Sequence, residues 1–412
     1  MKEKLFSRDF TLVVVGQIIS LFGNAAIRFA LPLYLLNQTG SSALYGTVTA
    51  CAFIPSILLS PVGGIIADRM NKRNIMVGLD LCTGAVITGF CLLINCMNLV
   101  VLITLTLMIL YGIAGAYQPS VQASIPALVC HKNYISANSV INMVSSLASL
   151  LGPVLGGILY SAWGLKPVLF VCILCFLFSA IMEIFIHIPY VKQSSNGSIT
   201  KMVKDDFSKS ITFIRTENPI VGKLLLVICA VNLFMSAMMV VGMPYLITEV
   251  LEFETINANQ LYGFAEGILA AGGLAGGILA GVLGSKLSIQ KSGTLLIADA
   301  LFVFPIGIAL LLFSSGIVHY VVLAICGFFM MAISTIFTIQ MLSFVQAQTP
   351  PHLIGKVIAL ILTLSMCAQP LGNAFYGIAF QACQGLEFSV VLFSGAATLL
   401  IAVTTKNIFR SL

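Results

Sequence analysis

The sequence predicts an all-α integral membrane protein: twelve transmembrane helices in two six-helix, pseudo-symmetric bundles. Three observations predict it. The chain is 59% hydrophobic and 8% charged, against roughly 25% charged residues in a soluble domain. Its apolar runs are about 20 to 27 residues long, enough to cross ~30 Å of hydrocarbon as helices rising 1.5 Å per residue. A glycine-to-cation pattern in one half also returns, worn, in the other, as in internally repeated membrane proteins. Transmembrane strands are excluded, because the runs are continuously apolar and do not alternate in ~10-residue segments.

The first six spans fall near 10–36, 44–67, 75–96, 99–120, 136–160 and 167–188. The first run is full length and lacks a small-residue cleavage site, so it is expected to stay as a span. Pro and Gly inside several runs do not argue against helix, since lipid-embedded helices tolerate kinks. A polar segment follows at 190–218. Gln193–Ser198 reads as a flexible linker. Beyond it Ile199, Met202, Val203, Phe207, Ile211 and Ile214 recur at helical spacing with Lys201, Lys204 and Lys209 between them. That pattern predicts an amphipathic helix on the inner membrane surface. The second six spans fall near 219–246, 258–284, 292–313, 318–344, 355–381 and 389–405. The expected domains are a bundle at 1–189, a cytoplasmic linker at 190–218 and a bundle at 219–412.

The cations orient the spans. Loops after the even-numbered spans, with the two termini, hold 18 of the 20 Lys and Arg residues. The opposite loops hold Lys166, and Arg28 lies inside the first span. This asymmetry predicts a multi-pass protein of the plasma (inner) membrane with both termini cytoplasmic. The net charge of +6 reads as anchoring to anionic lipid and not as nucleic-acid binding. Cys172 and Cys175 have metal-like spacing, yet they sit mid-span without nearby His or acids. They read as small packing hydrophobes, and no metal site is expected.

The halves echo each other. Pro32 and Pro244 sit near the outer ends of the first and seventh spans, Asp80 and Asp299 early in the third and ninth. Val121-Gln122-Ala123 resembles Val345-Gln346-Ala347, and Gly152-Pro153 aligns with Gln369-Pro370. The most informative stretch is Gly64 to Arg73, where a glycine-rich helix runs into Asp68 and then Arg69, Lys72 and Arg73. Gly64 permits close approach of a neighbouring helix. Asp68 ends the helix where it can face another helix's positive N-terminus. Asn71 tolerates a left-handed turn, and the cations can pair with acids or anchor to headgroups. In the later copy, Gly281 to Lys286, the acid is replaced by Ser285.

Gly64-x-x-x-Asp68-Arg69-x-Asn71-Lys72-Arg73 resembles the loop signature of the major facilitator superfamily, with Asn71 where that family usually has glycine. The likeness runs over the whole chain through span count, repeat and central loop. It implies the major facilitator fold and a conformational latch on the cytoplasmic side, made here by Gly64, Asp68, Arg69 and Arg73. The second copy should be weaker for want of its acid. Gly152-Pro153-Val154-Leu155-Gly156-Gly157 is similar to the family's antiporter motif, with Ala148 at its upstream glycine position. Gly152, Pro153, Gly156 and Gly157 would form a bendable, closely packing kink, and the resemblance implies export. Gln346-x-Gln348-Thr349-Pro350 and Ser20-Leu21-Phe22-Gly23-Asn24 look like the macrolide and multidrug efflux branch.

Charges inside spans are costly and therefore suggest function. Arg28 and Glu266 are expected to face the central cavity and pair, or Glu266 to exchange a proton. Asp80 and Asp299 are read as lying near the cytoplasmic surface and pairing with loop cations, and Glu183 with His187 as a structural pair one turn apart. Asn24, Gln118 and Gln340 are candidate polar contacts in a mostly apolar cavity, which suits bulky amphipathic substrates. Relatives commonly carry an acid at Asn24 and an arginine in the fourth span, so coupling does not simply carry over.

The expectation is a secondary transporter exporting amphipathic drugs, macrolide-like or multidrug, by proton antiport with alternating access. The alternative is a facilitator-fold carrier for a metabolite or lipid. A membrane enzyme is disfavoured, because His131, His187, His319 and His352 are scattered. A nucleotide-driven pump is disfavoured by the lack of a P-loop motif. No catalytic residues or cofactor are expected, only proton-motive-force coupling. The expected partners are the substrate and the bilayer, with the chain working as a monomer.

Overall fold

A computed structural model describes residues 6–130, 134–188, 208, 211–254, 256–283, 289–350 and 353–410. Within these, the side chains of 60–69, 119, 123, 126, 134–135, 138–139, 283, 289, 354–356, 359 and 407–410 lie outside the description. So do the expected linker at Gln193–Ser198, most of the amphipathic segment and the Ser285–Lys286 end of the second motif copy.

The described residues hold helices and no strand. The first six are α1 Arg8–Thr39, α2 Ser42–Arg69, α3 Lys72–Leu93, α4 Leu99–Leu128, α5 Tyr134–Trp163 and α6 Leu165–Ile184. The later ones are α7 Pro219–Val250, α8 Ala258–Leu283, α9 Ser292–Leu312, α10 Gly316–Gln348, α11 Ile354–Ala382 and α12 Glu387–Arg410. Eleven helices among the described residues are long and apolar enough to cross a membrane; the 29-residue α11 is outside that count. Large apolar side chains such as Leu92, Leu226 and Val282 stand exposed on helix surfaces. In lipid that exposure is favourable, whereas in water it would be a liability.

Local chemistry sets the helix ends. Asn71 caps α3 by accepting the Arg73 N–H at 3.1 Å, and Asn98 caps α4 by accepting from Val100 and Val101 at 3.0 and 3.3 Å. Gly164 after α5 and Gly385 after α11 take φ +76° and +82°, a left-handed backbone that suits glycine. These two turns lie six helices apart, as the repeat requires. Pro32, Pro153, Pro244 and Pro370 all sit inside helices. α7 loosens into single π turns at Asn232–Ser236 and, just after Pro244, at Leu246–Val250. α6 stops at Ile184, short of the expected 188, because the His187 N–H is taken by the Asp9 carboxylate at 3.1 Å.

The chain divides into two compact units. Unit 1 comprises Met1–Gln38 and Cys51–Ile199. Its apolar core gathers Phe10, Val13, Met76, Tyr117, Val121 and Ile141 from α1, α3, α4 and α5. Unit 2 comprises Thr39–Ala50 and Thr200–Leu412. Within it, a Cβ at Gly272 or Gly276 would run into the carbonyls of Phe328 and Ala332, so these glycines let α8 and α10 approach backbone to backbone. The first turns of α2 belong to this unit as well. Ser42 Oγ donates to the Gly377 carbonyl at 3.0 Å, and a Cβ at Gly46 would meet the Asn373 carbonyl.

Candidate functional site

The site begins with four polar residues on one face of α1. Gln17, Ser20, Asn24 and Arg28 are spaced three, four and four apart, which places them within about 80° of one another on the helix. In unit 1 this stripe meets polar side chains from three other helices.

At its inner end, Gln17 Nε2 donates to Tyr117 Oη at 2.8 Å, and Tyr117 Oη donates to Glu183 Oε1 at 2.7 Å. One turn on, Ser20 Oγ donates to Asp80 Oδ1 at 2.9 Å. Ser179 Oγ donates to the Gly16 carbonyl at 3.0 Å, tying α6 to α1. Gly16 leaves room for this cluster, since a Cβ there would sit 3.5 Å from both Glu183 Cγ and Ser179 Oγ. Glu183 is 0% and Asp80 2% exposed. Asp80 Oδ2 and Glu183 Oε2 are buried without a hydrogen-bond partner.

A cavity of about 100 Å³ opens beside this cluster, with Asn24, Arg28, Asp80, Tyr117 and Gln118 among its lining residues. Leu21, Thr83, Ile113 and Ala114 complete its wall. Asn24 Nδ2 donates to the Ser20 carbonyl at 3.2 Å. The Arg28 guanidinium lies 4.0 Å above the Tyr111 ring and donates through Nη2 to the Leu110 carbonyl at 3.2 Å. The aromatic face and the carbonyl supply negative potential in place of a carboxylate. Arg28 Nε stays buried and unpartnered.

The other predicted positions are spread through the fold. Gly152 faces α1, where a Cβ would collide with the Ala25 Cβ, and Gly156 faces Ala26 one turn on. Gly157 is buried, and α5 continues as helix through Pro153. Gly64, Asp68 and Arg69 lie in the last turns of α2, with side chains outside the described set. Arg73 opens α3 and donates through Nε to Asn74 Oδ1 at 3.3 Å. In unit 2, Glu266 Oε1 accepts from Tyr262 Oη at 3.1 Å. Gln340 Oε1 accepts from Ser292 Oγ at 2.7 Å, joining α10 to α9.

Two expectations need correction. Asp80 and Asp299 are buried at 2% and 0% exposure. Asp80 bonds to Ser20 rather than to a loop cation, and neither Asp299 oxygen has a hydrogen-bond partner. Each lies about two turns into its helix, on the face that helical rotation turns inward. Glu183 and His187 do not pair through a shared helix turn, because the helix ends between them; His187 is exposed and Glu183 meets Tyr117. The buried set of Gln17, Ser20, Asp80, Tyr117 and Glu183 was not assembled from sequence. The signal for it was the polar stripe of α1 together with two acids in apolar runs.

Comparison with known proteins places this architecture among transporters. The Major Facilitator Superfamily family model matches residues 13–373. Macrolide efflux protein A of Streptococcus pyogenes is 23% identical over 367 residues, covering 88% of this chain and 87% of that protein. Multidrug resistance protein MdtG of Escherichia coli is 33% identical over 155 residues, covering 35% of this chain and 37% of that protein. The crystal structure of nucleoside transporter NupG matches with a TM-score of 0.78 at 10% identity, covering 97% of this chain and 99% of that one. That last likeness speaks for the fold.

Proposed function

The chain belongs to the Major Facilitator Superfamily and is a multi-pass membrane transporter, and from that premise we propose that it exports amphipathic drugs, of macrolide or multidrug type, by proton antiport. The observation that carries the reading is the similarity to macrolide efflux protein A along 88% of the chain. The cavity in unit 1 supports it. Its wall combines Leu21, Ile113 and Ala114 with Asn24, Arg28 and Gln118, so apolar surface is set beside a few polar groups, as in sites for amphipathic molecules.

In this reading Asn24, Arg28 and Gln118 meet polar parts of the substrate from unit 1, and Glu266 does so from unit 2. Gly64, Asp68, Arg69 and Arg73 form a charge latch that breaks and reforms in alternating access. Gly152, Pro153, Gly156 and Gly157 let α5 pack closely on α1 while retaining a point of flexure. The protein works as a monomer in the plasma membrane with both termini cytoplasmic, following the cation asymmetry of its loops.

Expression in a drug-sensitive host, with resistance and accumulation measured across a compound panel, tests export. Inverted vesicles with an imposed pH gradient test the coupling. Reduced accumulation of macrolides or other amphipathic drugs, driven by the gradient, is the expected result. Unchanged accumulation of every compound would replace this reading with that of a metabolite or lipid carrier.

A further inference from the structure

We propose that Asp80 and Glu183, buried together in unit 1, are the proton-binding site of the transport cycle. This rests on the proton-antiport reading and names the residues that would carry it.

Four observations converge on the pair. First, Asp80 and Glu183 are 2% and 0% exposed in an apolar helix bundle, and both are reached from one face of α1, Asp80 from Ser20 and Glu183 through Tyr117 from Gln17 one turn away. Buried ionisable groups inside membrane spans are costly to keep and mark ion or proton pathways. Second, each carboxyl group is held through one oxygen by a neutral hydroxyl. Ser20 donates to Asp80 Oδ1 at 2.9 Å and Tyr117 to Glu183 Oε1 at 2.7 Å. Neither of these partners is a cation that would fix the group permanently as a carboxylate. Third, the remaining oxygens, Asp80 Oδ2 and Glu183 Oε2, are buried without a hydrogen-bond partner, an arrangement that is costly for a carboxylate and less so for a protonated carboxyl group. Fourth, Asp80 lines a cavity of about 100 Å³, above the ~30 Å³ share of one water in the liquid. The cavity also presents Asn24, Arg28 and Gln118 as polar groups beside Asp80 and is large enough to admit water.

Every helix packed on the pair contributes a defined neighbour. α1 brings Gln17, Ser20 and, along the cavity, the charged Arg28; α4 brings Tyr117; α6 brings Ser179 beside Glu183. Among the described residues, the charged and titratable groups these helices bring to the pair are Arg28 and Tyr117. The chemical step is simple. A proton passes from hydronium to a carboxylate oxygen, so one hydronium O–H bond breaks as the carboxyl O–H forms, and the reverse transfer to water regenerates hydronium when the proton leaves. The charge of the pair changes by one, with no oxidation or reduction. In unit 2, Glu266 has Tyr262 as a hydroxyl partner.

The test has a spectroscopic arm and a transport arm. Infrared difference spectra between two pH values, taken on purified protein in lipid nanodiscs, read the C=O stretch of protonated carboxyl groups without any substrate. The wild type should show a titrating carboxyl band that is reduced in Asp80→Asn and in Glu183→Gln and reduced further in the double variant. Asp80→Glu should retain it. An undiminished band in the double variant overturns the proposal. In the transport arm, erythromycin and ethidium are the probes in proteoliposomes. Gradient-driven accumulation should fall about tenfold or more in Asp80→Asn and Glu183→Gln, within the 5–150-fold range of coupling between two sites. Exchange of probe without a gradient should persist in Glu183→Gln, and a wild-type elution profile and unfolding midpoint should show that Asp80→Asn is folded. Gradient-driven accumulation equal to wild type in both variants overturns the assignment. If wild-type protein moves neither probe under a pH gradient, the antiport reading fails separately, and the infrared arm alone decides whether the pair binds a proton.

Discussion

Tyr117 donates its hydroxyl to Glu183 Oε1 at 2.7 Å, across 66 residues of chain, while accepting from Gln17 at 2.8 Å. One phenol thereby ties α4 to α6 and α1 inside the apolar core of unit 1. Tyr117 itself is 4% exposed, so both bonds are shielded from bulk solvent.

Tyr117→Phe should therefore leave Gln17 Nε2 and Glu183 Oε1 buried without their shared partner. The expected loss is about 1–3 kcal/mol, the desolvation penalty of an unsatisfied buried group. A lower midpoint in thermal unfolding of detergent-solubilised protein would register it. An unchanged midpoint would mean that the hydroxyl contributes nothing net.

Gly152→Ala places a methyl group against the Ala25 Cβ. Overpacking at such a crossing costs about 1–3 kcal/mol, because α5 must move away from α1. Gly281→Ala near the end of α8 meets nothing within 4 Å, and there the gain in helix propensity is up to about 1 kcal/mol. Unfolding midpoints of the two variants should move in opposite directions. A shared direction would refute the packing assignment.

Arg28→Gln removes the cation stacked on Tyr111 at 4.0 Å, whereas Arg28→Lys keeps a charge but loses the planar fork. If Arg28 meets substrate, drug export should drop sharply in the glutamine variant and recover in part with lysine. The apparent KM should rise in both. Equal export by all three proteins would leave Arg28 as a purely structural residue.

Asp68→Asn should impair transport while leaving membrane insertion and expression near wild type, if Asp68 anchors the latch. Uptake assays paired with quantification of membrane-embedded protein separate the two. Loss of insertion instead would make Asp68 a folding determinant.

Much of the fold was legible in the sequence, and little of the polar site was. The runs that became α1 to α10 and α12 announced themselves by length and continuous apolarity. Pro32 and Pro244, or Pro153 and Pro370, showed the repeat as spacing along the chain. Asp80 and Glu183 carried no such signature. Nearness to a helix end suggested loop cations as partners for Asp80, and spacing suggested His187 for Glu183; only the rotation of α3 and α6 turned them toward Ser20 and Tyr117. His187 was misplaced for a related reason: the end of α6 is set by Asp9, 178 residues away.

By itself, then, the sequence determined that this chain crosses a membrane many times, repeats itself and resembles the superfamily to which it belongs. Those properties are sums over local segments, since burial of apolar side chains in lipid and the bias of Lys and Arg between loops act residue by residue. The tertiary structure alone decided that Glu183 meets Tyr117 and Asp80 meets Ser20. Such meetings depend on helix rotation and close packing between segments distant in sequence, and a buried polar group has to take whichever partner that packing brings within reach.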